Sequence, residues 1–388
     1  MEKYGAEDGA RVPESFANLT RGVTDEIRVA FSHDWLNGMR GGEKCLEALS
    51  ELYPEAVIFT LFLEKTKVSS ALLRHEIRVS PLQRLPNIFA AYRYYLPLFP
   101  AAVGSFRLED RNLVISTSHC VAKGIKKKPG SKHLCYCFTP MRYAWGFFED
   151  YFGAASSWAK PPIHFLLHRL RKWDKSSNGG VDVFIAISKH VKNRIFEFYG
   201  REAEVVYPPA DTEFYTPDAT VPREDFYLVV SALVPYKKTE TAVRAFKRMN
   251  RKLVVIGDGP EKRGLEKIAG PGTRFLGWQT DEVIRDHYRR ARALVFPGEE
   301  DFGIVPVEAQ SCGLQVLAYA KGGALETVTD RTGLFFNEQT EASLVDAVER
   351  FEVSSFDPLE ARANAVRFSR TRFKSEMKAA IDKMMSEK

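Results

Sequence analysis

Short apolar runs of strand type, each followed by a turn and then by residues at helical spacing, constrain this chain more than any other feature. They fall at 27–32, 56–62, 113–116, 133–137, 182–187 and 204–207 in the first half. The second half repeats the pattern at 226–230, 253–256, 274–276, 293–296, 315–319 and 334–336. Strands that alternate with helices predict an α/β chain with mostly parallel, doubly wound sheets. At 388 residues the chain exceeds one ordinary core, which predicts two such domains. Four prolines between Tyr207 and Pro222 mark a linker. The expected divisions are a first domain at 25–207, a linker at 208–224, a second domain at 225–355 and closing helices at 356–388. Residues 1–24 lack the apolar core of a signal peptide and are expected to form a mobile tail.

Within the second half, GEEDFGIVPVEAQSCG (298–313) follows the apolar run at 293–296 and leads into helical spacing, with Pro306 in the first turn, where proline is tolerated. Gly303 therefore stands where unpaired N–H groups open a helix, a place that favours an anion and lets a phosphate approach the main chain. Glu300 lies just before that point and Glu308 one turn inside. Carboxylates accept hydrogen bonds from sugar hydroxyls, so a phosphate held between two of them suggests a nucleotide sugar. The competing reading is a pair of solvated acids at the start of a helix, which that end of the dipole also favours.

The composition narrows the alternatives. No apolar run reaches membrane-spanning length. Five irregularly spaced cysteines do not make a disulfide framework, which points to a reducing cytoplasm; Cys135 and Cys137 are expected to be core residues. No Asp-x-Asp triplet offers a cradle for a catalytic divalent ion, and no cofactor is expected. The net charge of +6 is uneven, with 15 Lys/Arg against 5 Asp/Glu from Arg84 to Lys175. Aromatic residues mix with these cations (Tyr92, Tyr94, Tyr95, Phe99, Trp158, Phe165, Trp173), as on a surface that meets anionic lipid, where each cation contributes about 1 kcal/mol. A solvated basic face without a partner reads equally from the same residues. Nucleic acid is not expected, since no binding module accompanies the charge.

Three further segments join the pattern at 298–313. Gly38, Gly41 and Gly42 are read as a loop between the first strand and first helix, the place where open α/β sheets bind ligands. CYCFTPMRYAWGFFEDYFG (135–153) follows a strand, and SALVPYKKTETAVRAF (231–246) follows another. Together with the two glutamates they resemble the family 4 retaining glycosyltransferases, whose motif is E-x7-E, and within them a bacterial GDP-mannose-dependent mannosyltransferase-like branch that builds surface polysaccharide such as lipopolysaccharide. The resemblance covers about 27–350 and implies the GT-B architecture, two Rossmann-like domains facing a cleft, with a last helix near 373–385 crossing back onto the first.

It also implies roles. Glu300 would face the donor sugar and Glu308 hold the ribose. Lys237, with Lys238 as an extra cation, would stabilise the departing diphosphate beside the amides of Asp301, Phe302, Gly303, Ile304 and Val305. Gly41 and Gly42 would line the cleft, the Gly277-Trp278 turn would meet the base, and Arg142, Tyr143 and Trp145 would face the acceptor or the sugar. The chain departs from the family twice. Phe138 replaces a histidine expected against the sugar, and Ala232 replaces an arginine. The partners implied are a nucleotide sugar and a glycan or lipid-linked acceptor, with the protein in the cytoplasm or peripheral at the membrane's inner face. A non-catalytic nucleotide-sugar-binding protein is the rival, which Phe138 and Ala232 motivate. An epimerase is disfavoured because no G-x-G-x-x-G follows the first strand.

Overall fold

The computed structural model describes residues 27–108, 110–145 and 160–387. The tail expected at 1–24, Trp158 and the end of the aromatic segment at 146–153 lie outside the described residues. Seven strands among the described residues form the first sheet: β1 (Val29–His33), β2 (Val57–Thr60), β3 (Ile77–Val79), β4 (Leu113–Ser118), β5 (Lys132–Cys137), β6 (Val183–Ala186) and β7 (Ala203–Val205). Six form the second: β8 (Tyr227–Val230), β9 (Leu253–Ile256), β10 (Thr273–Gly277), β11 (Leu294–Phe296), β12 (Val316–Tyr319) and β13 (Gly333–Phe336). All pairings are parallel, in the orders β3-β2-β1-β4-β5-β6-β7 and β10-β9-β8-β11-β12-β13.

Each expected run overlaps a strand, because helices cover both faces of a parallel sheet and its central strands are buried throughout, as β1, β4 and β9 are. Strand β3 was not expected. It lies at the sheet edge with Arg78 and Val79 exposed, so it lacks the continuous apolar run that betrays a central strand.

Both sheets reverse their strand order at an equivalent place, β1/β4 in the first and β8/β11 in the second. Ligands of open α/β sheets bind outside the carboxyl ends of the strands at such switch points. Two apolar clusters flank each sheet. The last helix, Arg370–Ser386, buries Phe373, Met377, Ile381 and Met384 against the first sheet, with the Phe373 ring 5.5 Å from that of Tyr136. Its Lys374 reaches Glu51 at 2.9 Å.

Two expectations need correction. Gly41 and Gly42 are not loop residues but the first two of the helix Gly41–Ser50, where the missing N–H partners of a first turn allow glycine at small penalty. One cation of the basic stretch faces inward: Lys123 is buried and pairs with Asp174 at 2.8 Å. Cys135 and Cys137 are buried free thiols in β5.

Candidate functional site

At the second switch point the loops after β8 and β11 lie side by side. A Cβ on Gly298 would stand 3.0 Å from the Lys237 carbonyl oxygen, so glycine is what lets the loops meet. There the Lys237 ammonium forms an ion pair with the Glu300 carboxylate. Gly303, at φ +87°, turns the chain into the helix Ile304–Ser311. The N–H groups of its first turn have no acceptor within the helix. The Ile304 side chain packs on the first unit's core and Val305 on the second's, which leaves main chain as what each offers to a ligand. From the other side Gly323 N–H donates to the Glu300 carbonyl at 2.8 Å, and a Cβ there would lie 2.3 Å from Phe302 Cα.

Asp301 does not face a ligand space. Its buried carboxylate takes Arg194 Nη1 at 2.7 Å and an ion pair from Arg142, both from the first unit, and the Ser188 hydroxyl donates to its carbonyl at 2.5 Å. Burial pushes this carboxyl up, but Arg142, then Arg194 and His190, outweigh it and hold it below the ordinary value. Phe302 is likewise buried, its ring 5.5 Å from Phe368 and 5.9 Å from Tyr207. Both residues serve the contact between the two units with their side chains. Arg142 also lies over the Tyr236 ring, which Lys237 flanks too.

Glu308 is buried in the helix beyond Gly303. Burial pushes its carboxyl up to about 7, against the opposing field of Lys44 and with that of Asp281 and Asp211. Lys44, from the helix Gly41–Ser50, pairs with Asp281 at 3.2 Å, so first-unit charge reaches the second unit here as well. Three residues before Asp281, Trp278 is exposed at the end of β10, after Gly277 at φ +70°.

Lys238 is separate from Lys237. With φ +53° it starts the helix Thr239–Met249 and lines a groove of about 820 Å³ with Glu240, Arg244, Arg248 and Glu261. Tyr143 is buried, and Trp145 stacks on Phe198 at 4.9 Å while its Nε1 donates to Asp174 at 2.7 Å, so neither side chain lies open in the cleft. Phe138 stands against Gly42, where a Cβ would be 3.3 Å from its ring.

Several residues at this junction escape sequence reasoning: Lys44, Arg194, Asp281 and Glu326, whose carboxylate accepts the N–H groups of Lys189 and His190 at 2.8 and 3.0 Å, and the contact of the helix cap Ser188 with Asp301. Ser188 caps a helix, and Lys44 and Asp281 lie in first turns, but Arg194 sits mid-helix, so no single local signal marks them all. Among the described residues no cluster of three His, Cys, Asp or Glu side chains is arranged to hold a metal ion.

Residues 213–371 match the family described as "Glycosyl transferases group 1". The chain carries a group 1 glycosyltransferase domain. The chain is 33% identical over 168 residues to a D-inositol 3-phosphate glycosyltransferase of Mycobacteroides abscessus, covering 37% of this chain and 38% of the relative. It is 28% identical over 200 residues to a GDP-mannose-dependent alpha-(1-6)-phosphatidylinositol monomannoside mannosyltransferase of Mycobacterium tuberculosis, covering 44% and 52%. The chain thus spans about two fifths to a half of the length of these curated relatives. Anabaena HepE, solved in complex with UDP and glucose, superposes with a TM-score of 0.68 at 16% identity, covering 92% of this chain and 99% of that one. The group 1 domain thus sits in a GT-B fold, two Rossmann-like units whose strands end toward each other.

Proposed function

We propose that this protein is a metal-independent, retaining glycosyltransferase that moves a hexose, mannose from GDP-mannose, to a glycan or lipid-linked acceptor in bacterial surface polysaccharide synthesis. The observation that carries the reading is the Lys237–Glu300 pair at the second switch point, beside the helix that opens at Gly303. The domain at 225–355 takes the donor, with Glu308 on the ribose, Lys237 and the Gly303 amides on the diphosphate, and Glu300 on the sugar. The domain at 25–207 takes the acceptor, the segment 208–224 links the two, and 356–388 ties the second back to the first. Mannose and GDP follow the activity for which the mycobacterial relative is named.

As the bond from the anomeric carbon to the phosphate oxygen breaks, negative charge grows on the diphosphate, and a fixed ammonium with helix-start amides stabilises that state more than the bound donor. The acceptor hydroxyl attacks the anomeric carbon from the same face, and its proton passes to the departing phosphate oxygen. No second carboxylate is required. Among the described residues no helix is long and apolar enough to cross a membrane. A lipid-linked acceptor would be met at the membrane surface, where the exposed Tyr94 and Phe165 lie within the basic stretch. The rival reading, a nucleotide-sugar-binding protein without turnover, draws on Phe138 and Ala232.

Thermal-shift measurements with GDP, UDP, ADP and their sugars, followed by transfer assays, separate the two. A bound ligand raises the melting temperature by mass action. Glu308→Ala is expected to reduce the nucleotide shift, and Glu300→Ala to keep it while lowering transfer. Binding without transfer or hydrolysis for any donor would leave the rival reading.

A further inference from the structure

The first sheet's own switch point is occupied by a built pair. Asp34 follows β1 and His119 follows β4, the two strands between which the order reverses. Asp34 is fully buried, and its carboxylate collects five hydrogen bonds. The N–H groups of His119 and Cys120 donate to Oδ2 at 2.7 and 2.9 Å, and those of Val121 and Ala122 to Oδ1 at 2.6 and 2.7 Å. The fifth comes from His119 Nδ1, 3.0 Å from Oδ2. Burial pushes this carboxyl up, but the field of His119 and these hydrogen bonds prevail and bring it to about 2, so Asp34 is a standing anion.

That arrangement fixes one imidazole. With Nδ1–H committed to Asp34, the tautomer leaves Nε2 on the far side of the ring. The carboxylate is wholly covered whereas the His119 side chain is 31% exposed, so the open part of the ring lies away from Asp34. Trp35 packs on it with centroids 4.6 Å apart, and Phe138 stands 6.3 Å away. Phe138 in turn faces Gly42 in the first turn of the helix Gly41–Ser50. The neighbouring His33 cannot take the same part: its Nδ1 is 2.7 Å from the Thr117 hydroxyl, and it is wholly buried.

We propose that His119, oriented by Asp34, is the imidazole that contacts the donor sugar in this protein, Nε2 hydrogen-bonding a sugar hydroxyl beside the place where Phe138 stands instead of a histidine. Phe138 supplies an apolar wall to the same subsite. The assignment rests on the reading of the cleft as a nucleotide-sugar site.

The test compares wild type, His119→Ala, His119→Gln and the double variant His119→Ala/Phe138→His. Binding of free GDP and UDP is measured beside binding of GDP-mannose and UDP-glucose, with turnover of whichever sugar nucleotide binds. His119→Ala is expected to bind the free nucleotide within about twofold of wild type and to lower kcat about 100-fold, the scale of one lost transition-state hydrogen bond. His119→Gln, which keeps a polar end, should recover about tenfold of that loss, and the added histidine at 138 should restore turnover to the alanine variant. The ring resonance of His119 should shift with the sugar nucleotide and not with the nucleotide alone, a readout that survives if a variant fails to fold. Unchanged kcat in both single variants, or a ring resonance indifferent to a bound sugar nucleotide, overturns the proposal. Failure of wild type to bind any nucleotide or sugar nucleotide overturns the donor-site reading and the assignment with it.

Discussion

Glu308 shows how much one side chain's surroundings decide. Its folded value, about 7, lies above the ordinary 4.5 because burial disfavours the carboxylate. The sign follows: the group's stabilising contribution is complete below pH 4.5 and is lost as pH rises through about 7. Over that rise the fold loses about 3 kcal/mol, since each tenfold difference in proton affinity between the folded and unfolded chain is worth about 1.4 kcal/mol. Glu308→Gln carries no such charge, so its unfolding free energy should vary less between pH 5 and 8 than that of wild type and exceed it at pH 8. Chemical denaturation at both pH values reads this directly. The same titration bears on function. Between pH 6 and 8 the ionised fraction climbs from about a tenth to about nine tenths, so nucleotide affinity should strengthen by up to tenfold if the carboxylate grips the ribose, and the glutamine variant should not show that rise.

At the scale of elements, the loop carrying Glu300 depends on glycines around it. Gly323→Ala places a Cβ 2.3 Å from Phe302 Cα, main chain that cannot step aside, so the loop must move. This variant should be destabilised by about 2 kcal/mol or more and should lose transfer in step with stability. Gly41→Ala is the contrast. A Cβ there has nothing within 4 Å, and alanine suits a helix better than glycine by up to about 1 kcal/mol. It should melt at or above the wild-type temperature, and any fall in donor binding would then report a phosphate or sugar at that surface. Melting curves with and without nucleotide separate the two outcomes. Strands were legible because burial on both faces leaves marks in local sequence, and capping leaves similar ones: Ser188 accepts the Val191 N–H at 3.0 Å, and Gly200 ends the helix Lys189–Tyr199 at φ +65°. The direction of a side chain leaves no such mark. Asp301 and Phe302 share a motif with Glu300, yet one pairs with two arginines and the other enters the core. Asp34 and His119 lie 85 residues apart and are joined only by the order of strands.

For the whole molecule, the question is what couples the two units. Beside the last helix, the polar contacts that bridge them include Asp301 with Arg142 and Arg194, Glu326 with the helix start at Lys189 and His190, and Lys44 with Asp281. The last is half exposed and screened by salt, so it contributes little. Asp301 is different, because its carboxylate is buried and removing one partner leaves charge that water cannot reach. Arg194→Ala should therefore destabilise the protein by about 2 to 4 kcal/mol, and Arg194→Ala/Asp301→Asn should recover part of that loss. Since the pair holds Asp301 below its ordinary 3.8, its contribution is present above that pH and is lost as pH falls through the lowered folded value. The destabilisation by Arg194→Ala should thus be full at pH 7 and shrink on acidification below pH 4. Small-angle scattering gives the mechanical counterpart. If these bridges hold the cleft at its present width, the single variant should show a larger radius of gyration than wild type at pH 7, and a nucleotide sugar that spans the cleft should narrow the difference; equal radii would mean that the apolar contacts of Phe302 and the last helix set the spacing alone.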